Sequence, residues 1–249
     1  MASLQLVMDL LDEISSRRER PVIRDLAESV SGSKSAIHRT LGSMVAHNLL
    51  DRDEYGNYHV GARLLLIARK YEQRWTLSPT AEAALEELRN ETLETVAIYV
   101  RVGFERILLA SKESPQLLRC WLDPNRRWPL NRGSAGRLLL SMMPDRAIRD
   151  YLHRIGESDG LLEQVAEIRK VGYSMGLAET VPGVGSISVP IAGPDGQSAA
   201  LTLVVPLARF EEQPLTGFLP LMVEKAEAIA ESWAGARNGR PTQHAGAGR

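Results

Sequence analysis

VIRDLAESVSGSKSAIHRTLGSMVAHNLLDRDEYGNYHV, residues 22–60, reads as two short helices joined by a tight turn and followed by a small hairpin. Ile23, Leu26, Ala27 and Val30 recur at the i, i+3, i+4, i+7 spacing of one buried helix face. Ser31-Gly32 is a turn pair that ends this helix, and Ser33 can cap the next, its hydroxyl accepting from a free first-turn amide. The second helix is expected from about Lys34 to His47. Its inner stripe is Ile37, Leu41, Met44 and Val45, and the opposite face carries Lys34, Ser35, His38, Arg39 and Thr40. No Asp or Glu stands between Ser29 and Leu50. That gap matters because every phosphate repels a carboxylate, so a helix laid in a DNA groove must be free of acids. Two short polar–apolar runs around Gly56-Asn57 complete the stretch as a hairpin. Helix, turn, helix, hairpin is the order of a winged helix-turn-helix, whose second helix enters the major groove. An ordinary three-helix bundle shares the periodicity; the acid-free stretch and the hairpin at the right distance favour DNA.

Working outward, Leu4, Val7, Met8, Leu11 and Ile14 form a helical stripe expected to pack behind this unit. Arg17, Arg18 and Arg20 follow it, either complementing the helix C-terminus or touching phosphate. Downstream, residues 61–71 (GARLLLIARKY) look helical and carry a wide apolar run, Leu64 to Ile67. Such a run either packs on the first domain or pairs with its copy in a second chain, and a two-fold protein reads a two-fold operator. Ser78-Pro79 marks a boundary and a helix start.

From Pro79 the pattern changes to alternating helices and strands. A helix over residues 81–90 precedes a β-branched strand, residues 95–100, a turn at residues 102–105 and a returning strand, residues 107–110. Further strands are expected at residues 117–122, from Gly172, after a loop within residues 179–191 and at residues 199–205, with helices at residues 138–142, 144–155, 162–171 and 215–233. Gly193-Pro194-Asp195-Gly196 reads as a turn. The domains are thus residues 1–60, a linker helix over 61–78, a second domain over 79–234, and a Gly-, Ala- and Arg-rich tail over 235–249 expected to be disordered.

Composition narrows the function. The 249 residues carry a net charge of −1, so DNA affinity must come from local placement of Lys and Arg rather than a global field. A lone cysteine, Cys120, excludes an internal disulfide and fits a reducing, cytoplasmic setting. The five histidines are scattered without paired cysteines, against a structural zinc site. The opening MASLQLVMDLLDEIS lacks a basic leader region and carries acids inside its apolar part, so neither a signal peptide nor a membrane span is expected. No nucleophile elbow, H-E-x-x-H, P-loop or full dinucleotide fingerprint occurs, so no catalytic residue, metal or cofactor is assigned.

Two loops could hold a small molecule. Asn131 to Gly136 leads into a helix, where small residues let a ligand approach and free amides favour an anion such as a carboxylate. Gly183 to Ser188 adds backbone and the hydroxyls of Ser186 and Ser188; Glu179 can pair with an arginine or line a pocket. Both loops also read as ordinary Gly/Ser turns.

With both halves read, the chain resembles the IclR family of bacterial transcriptional regulators from about Leu4 to Trp233. The resemblance rests on Ile37-His38-Arg39-Thr40-Leu41, residues 56–61 (GNYHVG), Arg126-Arg127-Trp128-Pro129-Leu130, and Gly172-Tyr173, Glu179, Gly183 and residues 186–191 (SISVPI) in that order. It implies an α+β protein: a winged helix-turn-helix, a linker helix, and a GAF-like effector domain with a mixed sheet flanked by helices. Members are dimers or tetramers, repressors or activators, sensing small organic or aromatic acids. By position, the family's DNA contacts fall on Ser33, Lys34, Ser35, His38 and Arg39, and its effector contacts near Ser134, Ala135, Gly176, Ser186 and Thr202. Gly176 stands where an acid is common, and Arg132 is gained, pointing to a more anionic or bulkier ligand.

On this reading Arg39 is the base reader, Lys34, Ser33, Ser35 and Arg24 set position on phosphates, and Arg52 and Tyr58 steady the wing. Arg132, Ser134, Ala135, Gly176, Glu179, Ser186 and Thr202 are the candidate effector residues. The partners are double-stranded DNA, a small carboxylate and a second copy of the chain, with no membrane. An enzyme with an appended DNA-binding module and an effector-free DNA-binding protein are the competing classes.

Overall fold

In the computed structural model, which describes residues 3–72, 77–156, 159–193, 198–209 and 214–238, helix α1 (Leu4–Ser16) begins where the Ser3 hydroxyl accepts the amide of Leu6 at 3.1 Å. Helix α2 (Ile23–Ser29) follows, started by the Asp25 carboxylate accepting the Val22 amide. Helix α3 (Lys34–Ala46) starts as expected at Ser33, whose hydroxyl accepts the amide of Ala36 at 3.2 Å. Strands β1 (Leu50–Arg52) and β2 (Tyr58–Val60) form an antiparallel hairpin with Leu50 opposite Val60. Its turn is wider than the Gly56-Asn57 pair. Asp53 organises it, its carboxylate accepting the amides of Tyr55 and Asn57 and the side-chain amide of Asn57, while Gly56 supplies a φ of +85°.

Leu10, Leu26, Ile37, Leu41, Met44 and Leu50 fill the core of this unit. In α1 the buried residues are Leu6, Leu10 and Ile14. Leu4 and Met8, expected inside, are exposed, because a four-residue repeat from Leu6 outcompetes the stripe drawn from Leu4. Helix α4 (Ala62–Glu72) leaves the hairpin through Gly61, whose amide donates to Leu49; a Cβ there would lie 2.4 Å from the Asn48 carbonyl oxygen.

The chain divides into two compact units at residues 74/75. The second begins with helix α5 (Pro79–Thr92), capped by the Ser78 hydroxyl. Strands β3 (Thr95–Val102), β4 (Glu105–Lys112), β5 (Trp128–Pro129), β6 (Ser174–Leu177), β7 (Val184–Ala192) and β8 (Ser198–Pro206) form one six-stranded sheet in the order β5-β4-β3-β8-β7-β6. Every neighbouring pair is antiparallel, not mixed as expected. The short β3–β4 and β6–β7 connections explain part of this, since a few residues can only fold a strand back on its predecessor. Residues 117–122 form no strand. The outer edge of β4 pairs with Trp128 and Pro129 instead, and Leu118 and Trp121 stay exposed.

Helix α6 (Gly133–Ser141) lies on the sheet and packs on α8 (Asp159–Val171). With α7 (Asp145–Ile155) they enclose Leu138, Leu140, Tyr151, Val165 and, from the sheet, Ala97 and Ala200. Helix α9 (Leu219–Asn238) packs on α5 and β7. β3 is buried from Thr95 to Val100, which explains its unbroken apolar run. The turn at residues 193–196 and the tail fall largely outside the described residues. No helix among those described is long and apolar enough to cross a membrane.

Candidate functional site

α3 presents Ser33, Lys34, Ser35, His38 and Arg39 to solvent, while Ile37, Leu41 and Met44 face inward. Lys34 and Arg39 enter no ion pair among the described residues, so both cations are unspent. Arg24 on α2 is exposed on the same unit, 3.7 Å from Asp25. Two residues assigned to DNA contact do not fit it. Thr40 is 2% exposed, lying three residues after Ile37 and four before Met44, and so belongs to the inner stripe. Tyr58 is 4% exposed and sits in the core, its amide bonded to the Pro21 carbonyl. Arg52 is exposed, its guanidinium 5.5 Å from the Tyr58 ring, so the tyrosine supports the hairpin from beneath and the arginine is the group left facing outward.

In the second unit the N-terminus of α6 is the centre of the arrangement. The Ser134 hydroxyl donates to Ser186 Oγ at 2.7 Å and lies 2.8 Å from Ser188 Oγ, which lies 2.9 Å from Thr202 Oγ1. Residues from α6, β7 and β8 thus form one chain of hydroxyls; Ser134, Ser188 and Thr202 are buried and Ser186 is half-buried. Beside it lies a cavity of about 420 Å³ that Ser134, Ala135, Ser186 and Thr202 help to line, a volume suited to a small ligand. Its apolar wall includes Tyr99, Trp128, Leu122 and Val204.

Three other assigned residues lie elsewhere. Arg132 is exposed and does not line the cavity; only its carbonyl turns inward, accepting from Arg106 Nη1. Gly176 is buried against α6, where a Cβ would come within 2.9 Å of the Ser134 amide nitrogen. It is there for close packing, and an acid at this position has no room. Glu179 accepts the amide of Gly133 at 2.9 Å and pairs with Arg137 through both carboxylate oxygens. The first free amide of α6, expected to hold an anion from outside, is therefore already met by a carboxylate of the same chain. Burial alone would raise the Glu179 pKa, but the Arg137 and Gly133 bonds outweigh it and hold the carboxyl below its ordinary value. Glu179 lines a separate depression of about 770 Å³ with Arg137, Tyr173, Gln164 and Leu161.

The residue that the sequence reading missed is Arg106. It is 5% exposed and lines the smaller cavity. Nη1 donates to the carbonyls of Pro129 (3.2 Å) and Arg132. Nε has no partner, and no carboxylate lies within ion-pair distance among the described residues. Burial lowers its pKa to about 10, still charged at neutral pH. Its guanidinium carbon lies 5.5 Å from the Tyr99 ring and 5.9 Å from that of Trp128. Gly133 and Gly136 make the space: a Cβ would lie 3.0 Å from Arg106 Nη2 at the first and 2.6 Å from Nη1 at the second. The missed signal was an arginine at the start of a strand. Taking the strand from Ile107 rather than Glu105 left Arg106 between turn and strand.

Cys120 also lines the cavity; burial, and secondarily Glu94, pushes its thiol up to about 11, which keeps it in the thiol form at neutral pH.

A family model described as the bacterial transcriptional regulator IclR C-terminal domain matches residues 69–231. Among curated proteins, the HTH-type transcriptional regulator KipR of Bacillus subtilis is 27% identical over 218 residues, covering 84% of this chain and 86% of KipR. The transcriptional repressor IclR of Escherichia coli is 23% identical, covering 94% and 91%. Among solved structures, an IclR homologue of Microbacterium hydrocarbonoxydans complexed with 4-hydroxybenzoate superposes with a TM-score of 0.75 at 20% identity, covering 93% of this chain and 99% of that one. The family match spans more than half of the chain and lies over the unit that holds the hydroxyl chain and both cavities: this protein belongs to the IclR family of bacterial transcriptional regulators.

Proposed function

We propose that the chain is a one-component regulator that binds promoter DNA through its N-terminal unit, a winged helix-turn-helix, and a small organic acid through its C-terminal unit. The observation that carries the DNA half is the outer face of α3, where Ser33, Lys34, Ser35, His38 and Arg39 are exposed and no acid interrupts them. Arg39 can read a base edge; Lys34, the serines and Arg24 can position on phosphate; Arg52 is the outward group of the wing. The effector half is supported by the cavity beside the hydroxyl chain, and by a structural relative solved with 4-hydroxybenzoate. The protein acts as a homodimer or tetramer, consistent with the exposed Leu65, Leu66 and Ile67 of α4, and by binding rather than by catalysis.

The test is a fluorescence-anisotropy titration of the promoter fragment beside the protein's own gene and of a scrambled fragment, each over a salt series. Selective binding with a steep salt slope is expected. Equal, weak binding to both fragments contradicts the reading.

A further inference from the structure

We infer that Arg106 is the anion anchor of the effector cavity and that the ligand it takes is an aromatic monocarboxylate. This rests on the effector-binding reading above and names the chemistry of that site. Three observations carry it. The first amide of α6, that of Gly133, is already bonded to Glu179, so this donor is not open to an outside anion. Arg106 is a buried cation that forms no ion pair among the described residues; Glu179, spent on Arg137, acts on it only from beyond ion-pair distance, and a desolvated charge calls for a closer counter-charge. Its Nε is unspent although Nη1 is anchored to the carbonyls of Pro129 and Arg132, so the side chain is fixed in place with donor capacity left over.

The rest of the cavity sets the shape. The rings of Tyr99, Trp121 and Trp128 and the side chains of Leu122 and Val204 form an apolar wall around that charge, which suits a flat, apolar body. Arg126 and Arg119 also line the cavity with Asp123; Arg119 is paired with Glu113 at 3.2 Å, so the charges around the lining still leave an excess of cation. The hydroxyls of Ser134, Ser186 and Thr202 lie on the same lining and can meet a polar substituent of the ring.

The experiment is calorimetry on the full-length chain with benzoate, its neutral isostere benzamide, and inorganic phosphate. Benzoate is expected to bind at least about tenfold more tightly than benzamide, the preference of a charge-assisted pair over a neutral one. Phosphate, which lacks the ring, is expected not to bind measurably. In Arg106→Lys the benzoate preference persists with weaker affinity; in Arg106→Met the two affinities converge. If Arg106→Met does not melt cooperatively, the parent ratio and the lysine variant decide. Benzamide binding as tightly as benzoate, or phosphate binding where benzoate does not, overturns the anchor assignment and leaves ligand sensing standing. Binding of none of the three overturns the anchor and counts against the sensing reading as well.

Discussion

Arg39 and Lys34 are both exposed on α3, five residues apart, and the proposed DNA reading gives them different roles. A guanidinium on a base edge discriminates between sequences by about 1–3 kcal/mol, whereas an ammonium on phosphate holds all sequences alike. Arg39→Ala is therefore expected to narrow the gap between promoter and scrambled DNA. Lys34→Ala should weaken both equally and reduce the salt slope by about one. If Arg39→Ala binds its operator as tightly and selectively as the parent, the recognition face is misassigned. Glu179 makes a prediction of a different kind. Its folded carboxyl titrates below its ordinary value near 4.5, so the stability it contributes is present above that value and is lost as pH falls from there through the lowered folded value. Thermal melting of the parent should weaken as pH falls below about 4.5. Glu179→Gln should melt lower than the parent at neutral pH and show a shallower acid limb; identical acid limbs would show that the Arg137 pair is not coupled to folding. Such roles are not legible in the sequence. Glu179 and Arg137 are 42 residues apart in the chain, and only the turn of β6 into β7 brings the acid beneath α6.

At the scale of the element, what the sequence showed clearly was whatever rests on local chemistry. α3 begins at Lys34 because Ser33 caps it, and the Ser33 hydroxyl is the accepting group. Ser33→Ala is expected to cost about 1 kcal/mol of stability, read as a lower Tm of the N-terminal transition. The α6 start was legible as a Gly/Ser loop, but its purpose was not. Gly136 is glycine because Arg106 Nη1 and the Leu130 carbonyl oxygen would lie 2.6 and 2.7 Å from a Cβ. Gly136→Ala should therefore destabilise the chain by about 1–3 kcal/mol through overpacking and weaken benzoate binding with it, checked by melting and calorimetry together. Where a reading depended on distant pairing it failed. The apolar run at residues 117–122 looks like a strand, yet no sheet edge receives it, because β5 already occupies β4. Thr40 looked polar and outward by residue type, but helical phase places it inside.

For the whole molecule, the chain divides at residues 74/75, a few residues before the Ser78-Pro79 boundary expected from the change of pattern, and α4 falls within the first unit. Which apolar surfaces meet a second chain was not legible. Leu65, Leu66 and Ile67 are each more than half exposed in a single chain, an apolar strip that a two-fold partner would cover. Leu66→Glu is expected to shift the protein toward monomer in sedimentation equilibrium and to weaken DNA binding through the lost second half-site; an unchanged mass would place the interface elsewhere. The central claim is that one chain joins two binding events, and linkage gives it a number. A ligand can alter DNA affinity only by as much as its own affinity differs between the DNA-bound and free forms. The most direct measurement is the promoter-DNA dissociation constant at fixed salt across a benzoate series spanning its calorimetric Kd. A change of about fivefold or more, saturating over the range in which benzoate fills the cavity, is the expected result; a DNA affinity that stays constant while the cavity fills contradicts it.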